Sequence, residues 1–537
     1  MSTRLGGVTG GEVVVAALAA HGVDLVLGIP GTHNLTVFDA LRRYGVRVVA
    51  PTHEQGCGYS ADGYARTSGR PGVAVVTSGP AVYNAATAVA QAYSDSSPVL
   101  LVSPGMPRDH VVGGPGTGFL HEARDQHGVM ALVAEASLRP TTHQGIADAV
   151  VEAWSLMTSG RPRPVHLEVP LDLLEERGDA EIRTAAALPE VAVDTSTIGA
   201  AAEKLLGAER VVVVAGGGAA GAAEEVLEVA ELLGAPVVTS INGTGVVAGD
   251  HPLGVGSRLG THAVKAAVAE ADVVLVVGSE LAQSDLFVGP FAPRAVVRLD
   301  VDPRMADVNV VADVMVVGRA ESTVPALRDE LVRRGAEPRP ATPWAEQVRA
   351  AAAAETASSG ERWLPWVAAL QSALDDDAVL ATDNAMCVYY GVVPNLVVRR
   401  PSSLHFPTGF GTLGFTVPVA VGAALAAPER QVVGISGDGG LLFTATELAT
   451  AAAEHLPIAV VVFDNSGYGE IRNEMLDRDE EPVAVTAPPR DLVLLAQSLG
   501  AHGVRVSTPD ELAAELAAAR TRTGPTVVVV PESPREG

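Results

Sequence analysis

Residues 432–469 read VVGISGDGGLLFTATELATAAAEHLPIAVVVFDNSGYG. Two short apolar runs, 432–436 and 458–463, flank an Ala-rich segment with a helix predicted over 444–454. A run apolar at nearly every position has both faces buried. Two such runs joined by a helical crossover are parallel strands of a sheet covered on both sides. The first ends in Gly437-Asp438-Gly439-Gly440, the second in Asp464-Asn465-Ser466-Gly467-Tyr468-Gly469. Ligands of open α/β sheets collect at the carboxyl ends of strands, so Asp438 and Asn465 can converge there. With a backbone carbonyl they form a hard oxygen set suited to Mg²⁺ or Ca²⁺, which diphosphate oxygens and water would complete. The glycines let the chain turn tightly against such phosphates. GDG alone is a weak signal, because glycine fills 56 of 537 positions. Its plain reading is a strand-end turn.

The same alternation runs outward in both directions. Strands are predicted at 46–50, 73–77, 98–102 and 165–170, with helices at 9–21, 54–68 and 81–93. A second set lies at 211–215, 236–240, 273–277 and 295–300, with a helix over 219–233. A third adds 378–382 and 526–530 to the opening pair. Segments rich in Ala, Glu, Pro and Asp at 172–197, and Arg and Pro at 332–343, read as linkers. The expectation is three α/β domains with mostly parallel sheets, at 1–175, 190–335 and 350–537, the third block opening near Trp344 and the chain fraying from about Pro531. The turn Ala215-Gly216-Gly217-Gly218 could hold a phosphate, or could simply be tight.

Composition narrows the function. The 63 acidic residues outweigh 37 basic ones, a formal charge of −26, which opposes nucleic acid and anionic membranes. Two cysteines, Cys57 and Cys387, exclude a disulfide scaffold and a four-cysteine metal site. No secretion signal or membrane-length apolar run is visible, so a cytoplasmic protein is expected.

In the first block Glu54 follows a predicted strand and heads a helix, where a carboxylate is ordinarily a favourable end charge. Four histidines stand near predicted loops: His33, His53, His121 and His405. Each could be structural, and each could carry a proton near neutral pH.

Taken in order, GIPGTHNL (28–35), HEQGCGYSADGYAR (53–66), TSGP (77–80), GFGTLGFTVPVAVGAALA (409–426), GDGGLLFTATELAT (437–450) and DNSGYGEIR (464–472) resemble the thiamine diphosphate-dependent enzymes of the acetolactate synthase and 2-oxo acid decarboxylase superfamily. The resemblance implies a pyrimidine-binding first domain, a Rossmann-like central domain and a diphosphate-binding third domain. It implies thiamine diphosphate with Mg²⁺ held by Asp438, Asn465 and the Gly467 carbonyl. It implies Glu54 on the pyrimidine N1′ nitrogen and Leu413 propping the cofactor into its bent shape. Further cofactor contacts fall on Gly79, Asn84, Gly411, Gly437, Gly439, Gly440 and Tyr468. The active sites would lie between subunits of a homodimer or homotetramer. The reaction would release CO₂ from a 2-oxo acid, and then either protonation gives an aldehyde or attack on a second carbonyl gives an acyloin.

The histidines favour the aldehyde branch, with His33 and His121 as pocket residues, His405 a further candidate and His53 a weaker one. Acetolactate synthases usually carry a small residue at the position of His33, a Gln-Glu pair at His121-Glu122, and a lysine absent from 241–245. The segment 278–285 lacks the arginines of flavin-binding members, so FAD is disfavoured. The closer resemblance is to guanidino-oxopentanoate decarboxylase-like members. There Glu470 would pair with a guanidinium tail, unless it caps its helix or pairs with Arg472. Ala81, in place of a second glycine, and the apolar run Asn384-Ala-Met-Cys-Val-Tyr-Tyr390 depart from that pattern and keep a bulkier apolar substrate open. A carboligating synthase is the alternative. A non-catalytic relative is opposed by Glu54, Asp438 and Asn465 occurring together.

Overall fold

The computed structural model describes residues 3–185 and 192–533. Its valine-rich runs form three six-stranded sheets in which all neighbouring strands are parallel. In the first, the spatial order is Arg47–Val49, Leu25–Gly28, Gly72–Val75, Val99–Gly105, Val165–Pro170, Ala136–Leu138. In the third it is Leu404–His405, Val379–Thr382, Val432–Gly437, Ala459–Asp464, Thr526–Pro531, His502–Arg505. The central sheet is built around Val211–Ala215 and Val273–Val277. Most of these strands are buried throughout, as their uninterrupted apolar runs require.

The strand orders place the crevices. In the first sheet successive connections turn opposite ways between Leu25–Gly28 and Gly72–Val75; in the third, between Val379–Thr382 and Val432–Gly437. Such switch points open a cleft at the carboxyl ends of the strands. The first and third domains meet through the helices Glu54–Ser68 and Thr416–Ala426. They approach so closely that a Cβ on Gly63 would lie 2.4 Å from the Val419 carbonyl oxygen.

Three expectations are corrected, and the open alternative at Gly216–Gly218 is narrowed to a tight turn. The first part of the 172–197 linker is structured: Leu171–Glu175 is helical, and Arg177–Ile182 pairs antiparallel with Thr3–Thr9. Residues 186–191 of that linker and the terminal 534–537 lie outside the described residues. The third block is expected to open near Trp344, but the helix Pro343–Ser359 there packs Val348 and Ala352 into the central domain's core beside Val212 and Val214. The helix predicted over 444–454 is two short ones, Asp438–Thr444 and Glu447–Ala453, so Asp438 begins a helix rather than ending a turn. The Gly216–Gly218 turn opens a 3-10 segment, Gly217–Ala222, and its Gly216 and Gly218 amides donate to Val277 and Gly278 carbonyls. Those two donors are not free for a phosphate. Among the described residues, no helix is long and apolar enough to cross a membrane.

Candidate active site

The carboxyl edge of the third sheet brings Asp438 and Asn465 together as its strand order demands. Asp438 is fully buried, and its Oδ1 accepts from the Asn465 backbone amide at 3.3 Å. The Asn465 side-chain amide donates its NH₂ to the Gly467 carbonyl oxygen at 2.9 Å and to Asp438 Oδ1 at 3.3 Å. The amide, the Gly467 carbonyl and the Asp438 carboxylate thus converge, and the amide can offer either its NH₂ or its oxygen. The edge of a Mg²⁺ octahedron with ~2.1 Å bonds is about 3.0 Å, so this oxygen set has the spacing and the hardness of a Mg²⁺ site. With Mg²⁺ bound, the amide would turn over and present its oxygen beside the other two.

Around this cluster stand residues that the sequence reading missed. Arg490 pairs with Asp438 Oδ2 and lies 3.8 Å from Asp464. Its Nη1 donates to the Pro488 carbonyl, its Nε has no partner, and burial lowers its pKa. Asp383, at the end of the neighbouring strand, is fully buried, and burial raises its pKa to about 6. It accepts from the Asn384 and Gly414 amides, while Asn384 Nδ2 donates to the Thr412 carbonyl at 2.7 Å. These bonds fix the loop that carries Gly411 and Leu413. The glycines after Asp438 serve packing: a Cβ on Gly439 would lie 3.0 Å from the Tyr468 ring, and one on Gly440 2.9 Å from Asp383 Oδ2.

Glu470 neither caps its helix nor pairs with Arg472, which donates instead to the Asn465 and Ser466 carbonyls. It accepts from the Tyr390 hydroxyl at 2.7 Å, and Tyr390 stacks on Trp363. Burial raises the pKa of Glu470, partly offset by that hydrogen bond. The run 384–390, which reads as rather apolar for a charged substrate, turns two phenols to polar work: Tyr389 donates to Asn384 Oδ1 and Tyr390 to Glu470.

The first sheet's switch point collects the other half. Glu54 starts its helix behind the cap of His53, whose Nδ1 accepts from the Gln55 amide. Glu54 Oε2 accepts from Asn84 Nδ2 at 2.9 Å. His33 follows one switch-point strand and Ser78-Gly79 the other. Ser78 Oγ lies 2.7 Å from His33 Nδ1 and 3.3 Å from His121 Nδ1, with the imidazole centroids 5.1 Å apart. Burial, then the neighbouring His121, lowers the pKa of His33. His405 is set apart from this pair. Its Nε2 bonds Thr67 Oγ1 at 2.8 Å, and burial drives its pKa down to about 3, so it stays neutral. His53 is accounted for as a helix cap. A cavity of about 460 Å³ lies where the three domains meet, lined by Arg161, Asn242, Asp285, Asp300 and Thr408; it contains neither Glu54 nor Asp438.

Residues 8–129 match the thiamine pyrophosphate enzyme N-terminal TPP binding domain, 198–327 its central domain and 389–530 its C-terminal TPP binding domain. The chain belongs to the thiamine pyrophosphate enzyme family. It is an enzyme of the decarboxylase and carboligase type, and thiamine diphosphate with Mg²⁺ is its cofactor. Among its family relatives, a Pseudomonas aeruginosa protein named as a 2-ketoarginine decarboxylase is 38% identical over 526 residues, covering 97% of this chain and 93% of that one. A Methanocaldococcus jannaschii protein named as an acetolactate synthase large subunit is 31% identical, covering 98% and 92%. The Escherichia coli acetolactate synthase isozyme 2 large subunit is 30% identical, covering 96% and 94%.

Proposed function

We propose that this chain decarboxylates a 2-oxo acid to an aldehyde and CO₂, and that the substrate carries a cationic guanidino tail. The observation that carries the reading is the His33–Ser78–His121 cluster, two imidazoles gathered on one hydroxyl at the first domain's switch point. The 2-ketoarginine decarboxylase of Pseudomonas aeruginosa, 38% identical, supports the same branch and the same tail.

Thiamine diphosphate, when bound, supplies the nucleophilic carbon and the electron sink for loss of CO₂. Asp438, Asn465 and the Gly467 carbonyl would hold its Mg²⁺, a role the acceptor cluster supports. Glu54 would hold a proton at the pyrimidine N1′ nitrogen, with Asn84 orienting its carboxylate. Leu413 would prop the cofactor's bend, with Gly79, Gly411, Gly437, Gly439, Gly440 and Tyr468 around it. The imidazoles of His33 and His121 would deliver the proton that ends the cycle in an aldehyde. The carboxylate of Glu470, held by the Tyr390 hydroxyl, would take the guanidinium fork.

The active unit in this reading is a homodimer or a dimer of dimers. Glu54 bonds to Asn84 and Asp438 to Asn465 and Arg490, so neither half touches the other through these contacts. Exposed Tyr83 adjoins the first half, and exposed Leu442 and Phe443 adjoin the second.

The test is CO₂ release by purified protein with thiamine diphosphate and Mg²⁺ across a panel of 2-oxo acids, with products identified. Aldehyde in equal amount to CO₂, fastest from 5-guanidino-2-oxopentanoate, is the expected result. A hydroxyketone from pyruvate would move the chain to the carboligating branch.

A further inference from the structure

The His33–Ser78–His121 cluster is held from behind. Ser78 has one hydroxyl proton, which can go to only one imidazole, so the other imidazole must donate its Nδ1–H to Oγ. That order survives only while both rings stay in reach of a fully buried Oγ. His121 sits at φ +61° and Gly79 at φ +63°, and a non-glycine residue in this region is retained only where its surroundings enforce it. A Cβ on Gly79 would come 2.7 Å from the His121 carbonyl oxygen and 2.9 Å from its Cβ, so the two turns are packed as a unit.

The Gly79 amide donates to Gln126 Oε1 at 2.7 Å. On its other side Gln126 Nε2 donates to Glu168 Oε2 at 2.8 Å and to the Pro104 carbonyl at 3.0 Å. Glu168 is buried, and its other oxygen lies 3.3 Å from Arg139 Nε. A second arm runs from Gln126 Nε2 to Ser103 Oγ at 3.3 Å. It continues to His166 at 2.9 Å, Ser137 at 2.8 Å and His127 at 2.8 Å. An amide supplies the acceptor for Gly79 and the donors for Glu168 at once. A glutamate here would set two carboxylates against each other, and a leucine would leave a buried N–H unpaired.

We propose that Gln126 is a positioning residue for the reaction: by gripping the Gly79 amide it fixes the turn against which His121 packs, and so holds both imidazoles on Ser78. Gln126 touches none of the reacting atoms in this role. The proposal rests on the decarboxylase reading, because it needs the histidine pair to deliver the proton that releases aldehyde.

The experiment uses the holoenzyme, loaded with thiamine diphosphate and Mg²⁺, as wild type, Gln126→Asn and Gln126→Leu. Asparagine keeps the amide but is one methylene too short to bond both sides, and it decides the matter if the leucine variant does not fold. The readouts are kcat, KM, cofactor Kd and the aldehyde-to-hydroxyketone ratio. Misplacing the donors by an ångström should lower kcat by about 100-fold. KM should stay near wild type, cofactor Kd should weaken far less than kcat falls although Gly79 borders the cofactor, and the hydroxyketone share should rise. Unchanged kcat and product ratio in the asparagine variant would overturn the proposal. So would a kcat loss matched by weakened cofactor binding at a constant ratio, which is what a scaffolding residue gives. Wild type releasing no CO₂ from any 2-oxo acid would instead sink the decarboxylase reading itself.

Discussion

The side-chain amide of Asn465 lies 2.9 Å from the carbonyl oxygen of Gly467 and 3.3 Å from Oδ1 of buried Asp438, its NH₂ donating to both. A bound Mg²⁺ would turn that amide over, so that its oxygen joins the other two around the cation in place of the two hydrogen bonds. Asp438→Ala removes the one full negative charge of the set, so Mg²⁺-dependent retention of thiamine diphosphate should weaken by more than about 100-fold. Equilibrium binding of the cofactor at fixed Mg²⁺ measures it. Wild-type affinity would take Asp438 out of the site.

Arg490 gives the same carboxylate a second partner. Removing one member of a buried pair leaves the other charge uncompensated, a cost of about 3 kcal/mol or more. Arg490→Gln should therefore lower the melting temperature in metal-free buffer. Saturating Mg²⁺ should restore much of the loss, because a cation on Asp438 replaces the missing guanidinium. Equal destabilisation with and without Mg²⁺ would show that Arg490 matters for packing alone.

Glu54→Gln keeps the shape of the side chain and its contact with Asn84 but cannot exchange a proton. Cofactor affinity should change little, while turnover falls by about 100-fold or more, the usual weight of a positioned acid or base. Near-full turnover in single-mixing assays would reject the assigned role.

Glu470 offers a carboxylate whose raised pKa makes its charge dependent on pH. Burial favours its neutral form, so the pH at which it ionises lies above the 4.5 of an ordinary glutamate. A guanidinium needs the ionised form. On acidification through that raised pKa, KM for 5-guanidino-2-oxopentanoate should rise while KM for an aliphatic 2-oxo acid stays flat. Glu470→Gln should cost the guanidino substrate about tenfold or more, the value of a charge-assisted bond, and the aliphatic one little. A parallel loss on both substrates would dismiss the ion pair.

The parallel sheets were legible because strands such as 211–215 and 273–277 are buried on both faces and so read as unbroken valine runs. The pairing of Thr3–Thr9 with Arg177–Ile182 was not, because the first of these strands is largely exposed and its composition carries no buried face. Asp438 and Asn465 could be matched because one crossover joins their strands. Asp383 sits on the same edge, yet only the sheet order puts it beside Gly440, 57 positions on. The contacts of Gln126 with Gly79 and of Arg490 with Asp438 were not legible, since each joins residues distant in sequence. For Glu470, sequence supplied the carboxylate but not Tyr390, 80 positions away.

His166 ties the buried network to stability. It is fully buried between Ser103 and Ser137, and burial lowers its pKa from 6.5 to about 3. The unfolded chain takes up a proton near pH 6.5, whereas folded His166 stays neutral until about pH 3. Between those values the unfolded state binds more protons, so stability falls as pH falls. From pH 7 to 5 this one residue should cost about 2 kcal/mol. His166→Gln keeps hydrogen-bonding groups between the two serines and removes the titration. Its melting temperature should therefore drop less between pH 7 and 5 than that of wild type, even if it starts lower. Equal drops would mean that His166 is protonated in the folded protein, which its burial between two hydroxyls argues against.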